Sequence, residues 1–151
     1  MSELTAIDPA SLVGDTTAEL GELFRSGAAG AIPDGRGRGT VLLGTGGPLA
    51  RLAAAACYAL AWRGKVFTAR EARLKNLVTP LAIRAIEAAV YKQASWYDGE
   101  TCIVLDYSKT SFVARKIRDE IREIAPGVFV GLVFWGRRHV LDFALDFRQR
   151  R

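Results

Sequence analysis

Two polar residues close one of the most apolar stretches of the chain, and the single histidine opens another. Thr101 to Tyr107 ends in Asp106 and Tyr107, and His139 begins the run to Phe147. Set in an apolar cavity, a carboxylate, a phenol and an imidazole acquire displaced pKa values and can exchange protons with a bound molecule. Asp106, Tyr107 and His139 are therefore the candidate catalytic residues if the protein is a cofactor-independent isomerase, cyclase or lyase. Each also has a plain structural role. Asp106 can face solvent or cap the next element, Tyr107 can be a core aromatic with its hydroxyl at the rim, and His139 can flank an exposed turn.

Other constellations carry less chemistry. Gly44-Thr45-Gly46-Gly47 lies between a strand and a helix, where backbone amides can hold a phosphate, but neither GxGxxG nor a P-loop is matched. A flexible turn explains it better. Nothing marks Cys57 or Cys102 as electropositive or exposed, so both read as buried thiols. With one histidine and no HExxH, CxxC or EF-hand spacing, neither a metal nor any other cofactor is expected. The dense run Arg118-Asp119-Glu120-Ile121-Arg122-Glu123 reads as a solvated helix face.

Large apolar side chains say more. Trp62, Phe67, Tyr91, Trp96, Leu105, Tyr107, Phe134, Trp135, Leu141 and Phe143 lie on or beside predicted strands, where alternate positions line one face. Many of them would serve as core. A bent antiparallel sheet with apolar residues to spare is also a container for a hydrophobic guest, so this set is the candidate ligand-binding group.

The elements that must position these residues follow from periodicity. An amphipathic helix is predicted from Asp15, with Leu20, Leu23 and Phe24 on one face and Gly27 as its stop. Residues 27–39 form a Gly-rich surface connection into a short buried strand, Thr40 to Leu43. The segment LARLAAAACYALAW, from Leu49 to Trp62, reads as a helix apolar on nearly every side, which must be covered all round. Lys65 to Thr68 starts another strand. Residues 84–96 have helical composition, yet Asp98-Gly99 precedes the strong strand Thr101–Tyr107, and a hairpin turn needs a strand on both sides, so strand is assigned there. Residues 111–125 are assigned as a helix with Val113, Ile117, Ile121 and Ile124 as its stripe and Arg115–Asp119 and Lys116–Glu120 as ion pairs. Strands 128–135 and 139–147 flank a tight turn at 136–138. On the last strand His139, Leu141, Phe143, Leu145 and Phe147 face one way, and Asp142 and Asp146 the other.

A chain of 151 residues that is 50% hydrophobic and 25% charged can bury a core without staples. Residues 1–35 hold six acids against Arg25, a charge of −5, so the remainder carries +10 of the net +5. The expectation is one domain: an acidic helical leader, 1–38, packed on a sheet or barrel body, 39–151. Its bases are scattered, which argues against nucleic acid and leaves them to attract the anionic end of a small molecule or an acidic partner at Arg148, Arg150 and Arg151. Two cysteines, no secretory signal and no apolar run near the ~20 residues of a membrane span point to a soluble cytoplasmic protein. Homo-oligomer formation is left open.

Six strand candidates, three helices and two hairpins define the expected fold: α+β, a strongly bent antiparallel sheet or small β-barrel of about six to eight strands. On strand count and hairpins over residues 39–147, it resembles the calycin group, lipocalins and plastid fibrillins among them. The Gly-x-Trp signature of lipocalins is absent, since Trp62 follows Leu60-Ala61, and no ligand-binding residue transfers. The leading functional expectation is the binding of a lipid, isoprenoid or polyketide-like molecule in an apolar pocket of the sheet. The alternatives are an isomerase, cyclase or lyase using that pocket, and a protein-interaction module.

Overall fold

The computed structural model describes residues 7–12, 15, 17–42, 62–78, 83–110 and 115–148. Among them are eight strands: β1 (Gly35–Leu42), β2 (Trp62–Thr68), β3 (Arg73–Val78), β4 (Ile83–Ala94), β5 (Thr101–Asp106), β6 (Ile117–Ala125), β7 (Val128–Trp135) and β8 (Arg138–Asp146). Each pairs antiparallel with the next, and β8 returns to β1, so the sheet closes into a barrel in chain order. Closure leaves each of the eight described strands paired on both sides. One α-helix, α1 (Thr17–Ser26), and two short 3-10 segments, Pro9–Leu12 and Ala69–Glu71, complete the described elements. No helix among the described residues is long and apolar enough to cross a membrane.

Alternation along paired strands sorts side chains onto two faces. The interior holds Phe67, Leu74, Ala88, Val90, Ile103, Leu105, Tyr107, Ile121, Phe129, Phe143 and Leu145. A second apolar layer lies outside the barrel, where Cys102, Val104, Val130, Leu132, Phe134 and Ala144 meet Leu12, Leu20 and Phe24 of the leader. Leu20 and Phe24 are fully buried there, a burial that stabilises by about 1.5–3 kcal/mol per side chain. Ala28 exchanges two backbone hydrogen bonds with Glu123 and fixes the exit of α1 on β6.

The predicted α1 and the strand assignment against helical composition at 84–96 agree with what is seen, the latter as β4. Four readings are corrected. Residues 117–125, assigned as helix, form strand β6. Val113, Ile117 and Ile121 are four apart, and a multiple of four also satisfies the strand period of two. In place of the expected pairs Arg115–Asp119 and Lys116–Glu120, Asp119 meets Lys65 of β2 on one face, and Glu120 meets Arg118, Ser95 and the Trp96 amide on the other. The Gly-rich connection ends earlier than assigned: β1 begins at Gly35, and Gly37 faces the interior, where an added Cβ would lie 2.6 Å from the Phe147 ring. Strand β3 was not anticipated. His139 departs from the alternation of β8, because the register shifts between Val133 and Phe134 and places it beside Phe134 on the outer wall. The expected apolar helix before Trp62 and the Gly44–Gly47 loop lie outside the described residues, as does Cys57.

Candidate functional site

Inside the barrel, among the described apolar side chains, a lysine, an aspartate and a tyrosine are in mutual contact. Lys65 projects inward from β2, opposite Gly37 on β1; Asp119 projects inward from β6, opposite Leu105; and Tyr107 follows β5. Lys65 Nζ lies 2.9 Å from Asp119 Oδ2 and donates to the Tyr107 hydroxyl at 2.7 Å. The hydroxyl in turn donates to Asp119 Oδ2 at 3.2 Å. The ammonium also lies 5.4 Å from the Tyr107 ring centroid and 5.3 Å from that of Phe143. All three side chains are buried, at 0%, 2% and 2% residue exposure. Asp119 Oδ1 is buried with no hydrogen-bond partner.

Magnitudes show how unusual this is. At 2.9 Å and an effective dielectric of 20, the attraction is on the order of 6 kcal/mol, while removing each ion from water costs several kcal/mol. The pair therefore contributes little net stability, and an acceptor left empty costs about 1–3 kcal/mol more. Burial pushes the Lys65 amine below its ordinary value of 10.5, and the charge and hydrogen bond of Asp119 only partly restore it. The arrangement joins an amine of depressed basicity, a phenol and a carboxylate with a spare lone pair, all buried from bulk solvent. Such a set can hold a polar end of a guest or pass a proton to it.

The outer face of β6 is charged too, but every group there is engaged. Glu120 is fully buried; its Oε1 accepts from Ser95 Oγ at 2.6 Å and its Oε2 from the Trp96 amide at 2.9 Å and from Arg118 at 2.8 Å. Arg118 also reaches Gln93 and the Ala94 carbonyl and stacks 4.2 Å from the centroid of Trp96, whose ring Arg137 approaches at 4.3 Å. Arg122, with its side chain 1% exposed, forks onto Asp98, bonds the carbonyls of Phe24, Glu100 and Thr101, and covers the Phe24 ring at 4.3 Å. The Arg122 guanidinium holds the Asp98 carboxyl below its ordinary 3.8, against the effect of partial burial. Arg122 thereby ties the 95–100 hairpin and α1 to the barrel wall.

The three predicted catalytic residues are not brought together. Tyr107 alone points inward. Asp106, its neighbour on the strand, lies on the outer wall, where it accepts from the Tyr91 hydroxyl at 2.8 Å and from the Ser108 amide at 2.9 Å. Partial burial pushes the Asp106 carboxyl up, but the hydrogen bonds from Ser108 and Tyr91 outweigh it and hold the group below its ordinary 3.8. The Tyr91 hydroxyl is pushed up by burial and by that carboxylate. His139 Nε2 contacts Asp142 Oδ1 at 2.5 Å, also outside, next to Tyr97 and Phe134.

Of the candidate ligand-binding residues, Phe67, Leu105, Tyr107 and Phe143 are interior. Leu141 pairs with the inward-facing Val133 and shares its face. Tyr91 and Phe134 belong to the outer layer, and Trp96 and Trp135 are 36% and 55% exposed. The backbone of Trp62 opens β2. A cleft of about 380 Å³ on the outer wall, lined by Tyr91, Trp96, Asp106, Lys116, Arg118 and Arg137 among others, is separate from the interior triad. Cys102 is buried in the outer layer and its thiol is pushed up to about 12 by burial, which makes it inert as a nucleophile.

Sequence reasoning missed Lys65 and Asp119. Lys65 stood at the head of a short strand with no visible partner, and Asp119 was assigned to an exposed helix. Alternation on β6, once it is a strand, separates Asp119 from Arg118 and Glu120 and is the signal that finds it.

No protein-family model and no curated protein matches the chain. A crystal structure of a protein from Thermomonospora curvata resembles it with a TM-score of 0.63 at 22% identity, over 93% of each chain. That likeness supports the closed eight-stranded antiparallel fold.

Proposed function

We propose that the barrel, a small container of the calycin kind, binds an apolar small molecule in its interior and holds the polar end of that guest at Lys65, Asp119 and Tyr107. The observation that carries this reading is the unpartnered, buried Asp119 Oδ1 beside a buried ammonium. A barrel that needed only stability would be served as well by apolar residues of the same volume. A lipid, isoprenoid or polyketide-like molecule with a hydroxyl, carbonyl or acid at one end matches the interior, where aromatic and aliphatic walls surround one polar cluster. Native mass spectrometry of gently purified protein, followed by solvent extraction, tests it. A stoichiometric apolar species is expected, displaced when Phe143→Trp fills the interior. Protein that carries nothing and takes up no added long-chain alcohol, ketone or acid contradicts it.

A second reading, a cofactor-independent isomerase, cyclase or lyase, is favoured by the pairing of an acid-base set with a shaped apolar wall, which can fold a flexible substrate. Tyr107→Phe separates the two. An enzyme loses turnover and keeps affinity, whereas a carrier changes only in affinity. Asp106→Asn and His139→Ala, on the outer wall, should leave the interior event unchanged.

A further inference from the structure

We infer that Lys65 forms an imine with its guest, so that the molecule held in the barrel is an apolar aldehyde or ketone. This deepens the proposed function and rests on it, because the guest must first enter the interior.

The chain has five lysines, and Lys75, Lys92, Lys109 and Lys116 are exposed, whereas Lys65 is fully buried beside the Tyr107 and Phe143 rings. The exposed amines are in contact with water. Burial depresses the basicity of Lys65, which raises its share of the nucleophilic free amine. Its neighbours supply the remaining requirements. Lys65 gives a proton to Asp119, whose Oδ1 has a vacant acceptor site. The freed nitrogen lone pair attacks the carbonyl carbon while the C=O π pair moves to oxygen. One N–H proton reaches that oxygen through the Tyr107 hydroxyl, 2.7 Å from the nitrogen, and a carbinolamine results. The Asp119 proton then passes to the new hydroxyl, the C–O bond breaks, and water leaves as the nitrogen lone pair closes C=N.

The sum is ammonium plus carbonyl giving iminium plus water, with Asp119 an anion before and after. No charge is created in the apolar interior. The ion pair already present at 2.9 Å becomes an iminium–carboxylate pair, so the desolvation that makes buried charge costly has been met during folding. Exclusion of bulk water also opposes hydrolysis of the product.

The experiment uses the whole protein with octanal at neutral pH, sodium borohydride quenching and peptide mapping, with octan-1-ol binding followed in parallel by native mass spectrometry. Octanol cannot form an imine and reports only entry into the barrel. The expected result is a single adduct on Lys65, formed at least tenfold faster than adducts on Lys75, Lys92, Lys109 or Lys116. Asp119→Asn and Tyr107→Phe should slow the Lys65 adduct about tenfold and leave the exposed lysines unchanged. Octanol binding without preferential reduction at Lys65 overturns the imine and leaves the container standing. Failure to bind octanol, together with adducts spread over the exposed lysines, overturns both.

Discussion

Strand β6 carries charge on both faces, and the two faces are built differently. Outward, Arg118, Glu120 and Arg122 meet carboxylates, an amide side chain, a hydroxyl and backbone carbonyls until each has partners. Inward, Asp119 meets Lys65 and Tyr107 through one oxygen and leaves the other empty. A satisfied network fixes a surface loop and a helix against the barrel; a partly satisfied one costs stability and leaves capacity for another molecule. On the proposed function, the outer charge holds the fold and the inner charge holds a guest.

The largest effect should come from breaking the outer network at its centre. Arg122→Met removes the guanidinium bonds to Asp98 and to three carbonyls, and a loss of about 3–5 kcal/mol in urea unfolding is expected, with guest affinity of the folded fraction unchanged. Inside, Phe143→Ala removes a ring whose edge lies where a Gly131 Cβ would be, 2.2 Å away, and should cost about 3 kcal/mol. Its distinguishing outcome is tighter uptake of a bulkier guest, read by titration. Glu120→Gln replaces one of the two oxygens that accept from Ser95 and Trp96 by a donor and loses the charge facing Arg118, and about 1–3 kcal/mol should be lost in the same unfolding assay.

The smallest effect is in pH, where the two faces differ in sign. Asp98 has a folded pKa below its ordinary 3.8, so its contribution is complete above that value and disappears as pH falls through the folded value. Asp98→Asn should flatten that acid limb of the stability profile. Lys65 has a folded pKa below 10.5, so the unfolded chain binds more protons between the two values and stability rises with pH across that window. Lys65→Met should remove this rise.

Much of the barrel was legible in the sequence. Asp98-Gly99 and Gly136 demanded hairpins, and the first of these was enough to read the alanine-rich 84–96 segment as a strand against its composition. The leader helix was legible because only one of its faces is buried. Strand β6 was not, because both of its faces are buried: its outward charges are paired across the wall, so no apolar-polar alternation survives to mark the period. With β6 misread, Asp119 could not be placed inside, and Lys65 had no visible partner. Tyr107 was recognised as a polar group at the end of an apolar strand. Asp106 and His139 were selected by the same reasoning, but alternation along β5 and a register shift between β7 and β8 carry them outside.

The most direct test replaces the interior set by apolar groups of similar size, Lys65→Met, Tyr107→Phe and Asp119→Leu together, and compares urea unfolding with that of the unaltered protein. Stability equal to the parent, or higher by about 1–4 kcal/mol, with guest uptake abolished, is predicted for charge that serves binding. A loss of about 3 kcal/mol or more, with guest uptake retained, would place these residues with the outer network as structural and contradict the account.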